Sequence, residues 1–222
     1  MYLIENTCKN GPGACSMGIL ILRHVENVES AAKRLEPVKR DLEQTIREQY
    51  GQASRKQLAS VHPTDVYVSY YKTFGYSYHV LLQLESVIKG KPIPNVLAPV
   101  TAMFVAELKN TVLTAGHDLE KVTFPLQVKR ATGNERYTSI NGKELSVVPE
   151  DILLADQEGV ISSILKGPDD RTSIRKQTRH LLFTAYAPSG IEQELVERHL
   201  DDIEAYIRMF VPESVTALKL VY

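Results

Sequence analysis

The chain has 222 residues, with 26 lysines and arginines against 27 aspartates and glutamates, for a net charge of −1. A content of 43% hydrophobic and 24% charged residues is that of a globular protein, long enough to bury most of its unfolded surface without disulfides or a structural metal. No apolar run approaches ~18 residues, which excludes a hydrophobic spanning helix, and two cysteines exclude a disulfide framework.

The first ten residues show no basic flank followed by a long apolar stretch, so the expected location is the cytoplasm, with no membrane partner. Near-neutral charge argues against indiscriminate nucleic-acid binding and leaves room for a local basic face. A single domain over 1–222 is expected, with residues 1–16 irregular because Gly11, Pro12 and Gly13 break any element there.

Gly18 to Val25 reads GILILRHV, a buried strand. A helical pattern runs from about Val28 to Tyr50, with Asn27 as N-cap and Glu29 in the first turn. Leu35, Val38, Leu42, Ile46 and Tyr50 form its apolar stripe, and Pro37 predicts a break near Glu36. Lys39, Arg40, Glu43, Arg47 and Glu48 fall off the stripe and read as a solvated face. Tyr67, Tyr70, Tyr71, Phe74, Tyr76 and Tyr78 cluster, either as a core corner or as a stacking platform; the core corner is the favoured reading. Ser77 to Lys89 is a helix closed by Gly90 and Pro92, and a central helix spans about Ala98 to Lys109.

The period then shortens to two. Strands are expected over Leu126–Ala131, Arg136–Ile140, Glu144–Val148, Asp151–Ala155 and Gly159–Leu165, with Asn141-Gly142 as a hairpin turn that needs positive φ at both positions. Residues 166–178 are a polar loop or short helix. His180–Tyr186 is an apolar strand. Ser189 and Glu192 have capping-box spacing before a helix that Pro212 ends, and Val215–Val221 is a last strand. The order argues for an α+β fold: a mixed or antiparallel sheet meander packed with helices.

Chemistry-bearing patterns are sparse. Cys8 and Cys15 stand without a second pair and the six histidines are scattered, so no metal site and no cofactor are expected. There is no nucleophile elbow. His117-Asp118 reads mainly as a turn and cap, and Asp169-Asp170 as a cap or solvated turn. Lys166, Arg171, Arg175, Lys176 and Arg179 against Asp169 and Asp170 leave a local charge of +3. If that piece is helical, Arg171, Arg175 and Arg179 share a face that suits phosphates.

Three stretches carry a resemblance: YYKTFGYSYHVLLQLESVIKGKPIPN, the segment TAGHDLEKV, and ILLADQEGVISSILKGPDDRTSIRKQTRHLLFTAYAP. Together they resemble the B3/B4 domain of the phenylalanyl-tRNA synthetase β chain, in a freestanding single-domain form. The resemblance implies an α+β domain with a pocket between sheet and helices. In the synthetase that pocket receives the charged 3′ end of tRNA and hydrolyses misattached tyrosine. Carried across, the family's pocket histidine falls on Ala115, with His117 two residues later. Its pocket glutamate falls on Thr184, and a small glycine on Pro168. Ala115, His117, Thr184 and Pro168 are therefore the substrate-pocket candidates, and Lys166, Arg171, Arg175 and Lys176 the RNA-contacting ones. No catalytic residue is assigned. The implied partner is tRNA or an aminoacyl-tRNA 3′ end, or a free amino acid. The other synthetase modules are missing, so aminoacylation by this chain alone is not expected. Three roles remain open: an aminoacyl-tRNA deacylase acting in trans, a non-catalytic module that binds an amino acid or an RNA end, and an unrelated small-molecule enzyme on a reused fold.

Overall fold

The computed structural model describes residues 2–10, 13–26 and 31–222. The expected helix start at Val28, its cap Asn27 and Glu29, and the turn residues Gly11 and Pro12 lie outside them. In chain order the elements are β1 (Ile4–Asn6), β2 (Cys15–Arg23), α1 (Ala31–Arg34), α2 (Glu36–Tyr50), α3 (Arg55–Leu58), α4 (Thr64–Thr73), α5 (His79–Ile88), α6 (Ala98–Asn110) and β3 (Thr114–Asp118). A 3-10 turn (Leu119–Lys121), β4 (Leu126–Arg130), β5 (Arg136–Thr138), β6 (Glu144–Ser146), β7 (Ile152–Asp156) and β8 (Gly159–Ser163) follow. The last are β9 (Gly167–Pro168), β10 (Leu181–Pro188), α7 (Gln193–Arg208) and β11 (Val215–Val221).

The expected α+β class is what forms. One sheet has the order β1-β4-β7-β8-β9, a second β11-β2-β10-β3, and β5 and β6 pair as a separate ribbon. β1 runs parallel to β4, and the remaining pairings are antiparallel. β2 and β10 are covered on both faces, which is why they read as unbroken apolar runs rather than alternating ones. Ile19, Ile21, Leu182 and Tyr186 point between the sheets and meet Val128, Ile152, Leu154 and Ile161. Leu20, Leu22, Leu181 and Phe183 point the other way, onto Ala102, Met103, Val196, Leu200, Ile203 and Ile207 of α6 and α7. Each such aliphatic side chain contributes roughly 1.5–3 kcal/mol when fully buried. Gly18 sets how close α7 can lie: a Cβ there would come 2.5 Å from Val196 Cγ1.

Several local expectations are corrected by tertiary partners. The segment 1–16, read as irregular, contains β1 and the start of β2, because β4 and β10 supply the hydrogen bonds. Pro37 does break the first helical run, into α1 and α2. Lys39 and Glu43, however, are buried rather than solvated. Glu43 Oε1 accepts from the Ile93 amide at 2.7 Å, and Lys39 Nζ reaches Glu36 at 3.0 Å and Asn95 Oδ1 at 2.6 Å. The two side chains pin the stiff Pro92–Asn95 loop to α2.

Most of the aromatic cluster is the core corner, with Tyr67, Tyr70 and Tyr71 on α4, a helix the sequence pattern does not announce, and Tyr76 exposed. Tyr67 and Tyr71 lie one turn apart and are buried, and Tyr67 stacks on Tyr78 at 4.8 Å and 13°. Their hydroxyls donate to backbone carbonyls of Tyr186, Ile164 and Thr111, at 2.5, 2.5 and 2.9 Å. The expected five-strand meander is split: β4 pairs directly with β7, and β5–β6 is an excursion between them. At the ribbon's turn only Gly142 has positive φ (+73°). Its amide donates to Ser139 O at 2.7 Å while Ser139 N donates to Lys143 O at 2.8 Å, a turn plus bulge rather than a two-residue mirror turn. The Ser189–Glu192 capping box does not form: Ser189 N is bound to Ala14 O at 2.8 Å, and Glu192 occupies the N-cap without a side-chain capping bond.

Candidate functional site

TAGHD, read as the turn that closes the central helix, is the edge strand β3. Left-handed Thr111 (φ +51°) ends α6, and the chain then reverses to pair with β10. Apart from Thr114, the residues of this pentapeptide do not favour a strand. The unpaired edge of β10 imposes it. In the resulting register Ala115 faces Thr184 and His117 faces Leu182. Ala115, His117 and Thr184 therefore share the sheet face that looks inward. Pro168 lies on β9 opposite Ser162, and β9 packs beside β3. The structure thus gathers the four pocket candidates, but as close-packed wall: Ala115, His117 and Thr184 are all buried, with Thr184 at 0% exposure. Thr184 Oγ1 comes no closer than 3.5 Å to the Ala115 carbonyl it faces. Four surface hollows formed by described residues are lined by other residues than these three.

His117 is the most constrained polar group of the cluster. Its Nδ1 lies 2.7 Å from Thr172 Oγ1, and that hydroxyl donates in turn to the Asp169 carboxylate. With the Thr172 proton committed to Asp169, its lone pair takes the proton on Nδ1. Nε2 is then a bare acceptor; it is buried and has no partner. Burial pushes the imidazole pKa down to about 3, outweighing the attraction of Asp156, so the ring is neutral at physiological pH. A turn-and-cap role holds for Asp118, not for His117. Asp118 Oδ1 accepts from Glu120 N at 3.1 Å, and Oδ2 accepts from Thr178 Oγ1 at 2.7 Å.

The basic segment is not a helix. It crosses β3 as turns, with Asp118 N donating to Thr172 O and Asp169 accepting from Thr172 N. Asp169 forms the expected turn, yet is buried instead of solvated. Arg171, Arg175 and Arg179 consequently share no helical face. Arg171 is built into the protein: it bonds Asp156 at 2.8 Å and the Lys121 carbonyl at 2.6 Å, with Glu158 at 3.6 Å and Asp169 at 3.8 Å. Arg175 pairs with Asp170 at 2.6 Å on the surface. Lys166 Nζ donates to Tyr76 OH at 2.6 Å and lies 4.3 Å from its ring centroid. Lys176, which follows Arg175 in the chain, is exposed.

Sequence reasoning missed Thr172 and the buried roles of Asp169 and Asp156. The spacing Asp169-x-x-Thr172 is a turn signal that predicts their mutual bond; nothing in it announces His117 as the third member. Cys8 and Cys15 are buried free thiols, and burial pushes Cys15 up to about 12. Among the described residues no group of three or more histidine, cysteine, aspartate or glutamate side chains is placed to hold a metal ion, and no helix is long and apolar enough to cross a membrane.

This arrangement has relatives. The B3/4 domain matches residues 90–207, from the end of α5 to the last turn of α7, and the chain belongs to that family. The phenylalanine–tRNA ligase beta subunit of Mycoplasma genitalium is 27% identical over 100 residues, 43% of this chain and 12% of that subunit. An N-terminal fragment of the phenylalanyl-tRNA synthetase β-subunit from Pyrococcus horikoshii superposes with a TM-score of 0.52 at 10% identity. That superposition covers 98% of this chain and 54% of the fragment, so the likeness is one of fold. The chain spans a small part of the curated subunit it matches.

Proposed function

We propose that this chain recognises the aminoacylated 3′ end of tRNA and hydrolyses the aminoacyl ester in trans. The observation that carries the reading is the match over 90–207, which contains β3, β9 and β10 with Ala115, His117, Pro168 and Thr184 on them. In this reading the amino-acid end enters beside β3 and β10, once the 169–180 turns move aside. Lys166, Arg175 and Lys176 meet the acceptor-end phosphates, and Arg171 stays structural. Water attacks the ester carbonyl carbon, the bond to the ribose oxygen breaks, and that oxygen takes a proton, leaving a free amino acid and an uncharged tRNA. Ala115 and Thr184 cannot act as acid or base at neutral pH, so the protein's part is orientation of the ester and the water, with the ribose hydroxyl assisting.

Complete burial of His117 and Thr184 favours a second reading, in which the same surface binds the RNA end without turnover. One experiment separates the two. The protein is incubated with tyrosyl-tRNA and a panel of other mischarged tRNAs, and both bound fraction and ester loss are followed across salt. Deacylation above the spontaneous rate supports hydrolysis. Salt-sensitive binding with unchanged ester half-life supports the binding module. Neither binding nor deacylation across the panel refutes both.

A further inference from the structure

One hollow formed by the described residues lies away from β3, among the helices. It is a cleft of about 360 Å³ between α2, the α3–α4 connection, α5, the C-terminus of α6 and the start of α7. That volume suits a small organic molecule. Its walls are apolar, with Leu42, Ile46, Leu58, Leu84, Leu108 and Leu195 facing in. One end is polar, and its polarity has a sign. Lys109, Asn110 and Thr111 line that end, and there α6 stops; a helix's last-turn carbonyls lack intrahelical amides to accept from, and the Thr111 carbonyl just beyond them accepts from the Tyr78 hydroxyl at 2.9 Å. A helix C-terminus carries partial negative charge.

The basic groups lining the cleft do not offset it. Lys109 Nζ is drawn off to Asp202 at 2.7 Å and lies 6.0 Å from the centroid of the Tyr206 ring. His62 lies between Asp65 at 3.2 Å and Glu192 at 2.8 Å, both carboxylates. Tyr50 adds an aromatic ring to the lining, a surface that attracts cations. Apolar walls, a carbonyl-bearing end, compensated bases and an aromatic ring define a ligand with an apolar body and a positively charged head.

We propose that this cleft is a binding site for a small primary amine carrying an apolar body, such as an arylalkylamine. The site is separate from the one proposed for the tRNA end, since none of Ala115, His117, Pro168 and Thr184 lines it.

The test uses two probes with nearly the same body and opposite charge, phenethylamine and 3-phenylpropionate, titrated into the labelled full-length chain and followed by backbone amide shifts. Phenethylamine is expected to move Leu108–Thr111, Leu84 and Leu195 saturably, with the acid at least about tenfold weaker. Thr45→Arg adds a cation at an exposed position on the cleft, where it should not disturb folding, and is expected to weaken the amine about tenfold while leaving the melting temperature unchanged. Leu84→Trp, which fills the cleft, is expected to abolish the shifts. Equal binding of the acid, no saturable shift with either probe, shifts that map to the acidic outer face of α7, or amine affinity unaffected by Thr45→Arg would each overturn the assignment. All of these readouts are independent of tRNA binding.

Discussion

Glu107 on α6 is a carboxyl group sealed inside the protein. It is 1% exposed, and its Oε1 accepts a single backbone bond, from Thr114 N at 3.0 Å. Burial raises its pKa from 4.5 to about 8, the one amide bond recovering only part of the lost hydration. The folded state therefore holds the proton while the unfolded chain loses it above pH 4.5. For an acid whose pKa is raised on folding, stability is undiminished below the unfolded pKa and falls as pH climbs from 4.5 towards 8. At pH 7 the window is about 2.5 pH units, or about 3 kcal/mol against the folded state.

Glu107→Gln keeps an oxygen for Thr114 N and removes the titration. It is expected to match the wild type near pH 4.5 and to exceed it by about 3 kcal/mol at pH 7, a rise of about 6–12 °C in melting temperature for a chain of this size. Urea unfolding of both proteins at pH 4.5, 5.5, 6.5 and 7.5 reads the difference directly. Parallel curves, with a constant gap across that range, would refute the reasoning. They would mean that Glu107 is ionised in the fold, against a positive partner.

Thr172→Val removes the hydroxyl that joins His117 to Asp169, leaving His117 Nδ1 without a partner and Asp169 held only by the Thr172 amide and Arg171. A loss of about 2–4 kcal/mol in urea unfolding is expected, with Thr172→Ser close to wild type. Gly18→Ala drives a methyl into Val196 and is expected to cost about 1–3 kcal/mol by thermal melting, because α7 must lift from β2. Arg171→Ala exposes the buried Asp156 and Asp169 carboxylates to each other and is expected to cost about 2 kcal/mol or more. Arg175→Ala, whose pair with Asp170 is exposed, is expected to change stability by less than about 1 kcal/mol. For the tRNA binding proposed above the order is expected to reverse: Arg175→Ala lowers the salt slope by about one, measured by filter binding between low and physiological salt.

Elements whose signal is local and strong are legible in the amino-acid order alone. The break at Pro37, the Gly90 closure of α5, the bounds of α6 and β11, and the unbroken apolar runs of β2 and β10 all follow from covalent geometry and periodic burial. The ordered set of segments also carries the family likeness, which the match over residues 90–207 bears out. The weaker elements are set by their partners in space. TAGHD is a strand because β10 has an open edge, β1 exists because β4 stands beside it, and Lys39 and Glu43 are interior because the Pro92–Asn95 loop returns to meet them. The same holds at the candidate site. Asp169, Thr172 and His117 come from a turn and a strand some fifty residues apart in the chain, and each alone has an ordinary solvated reading. Their hydrogen bonds become decisive only where water is excluded, and which groups lose their water depends on the packing of the whole chain.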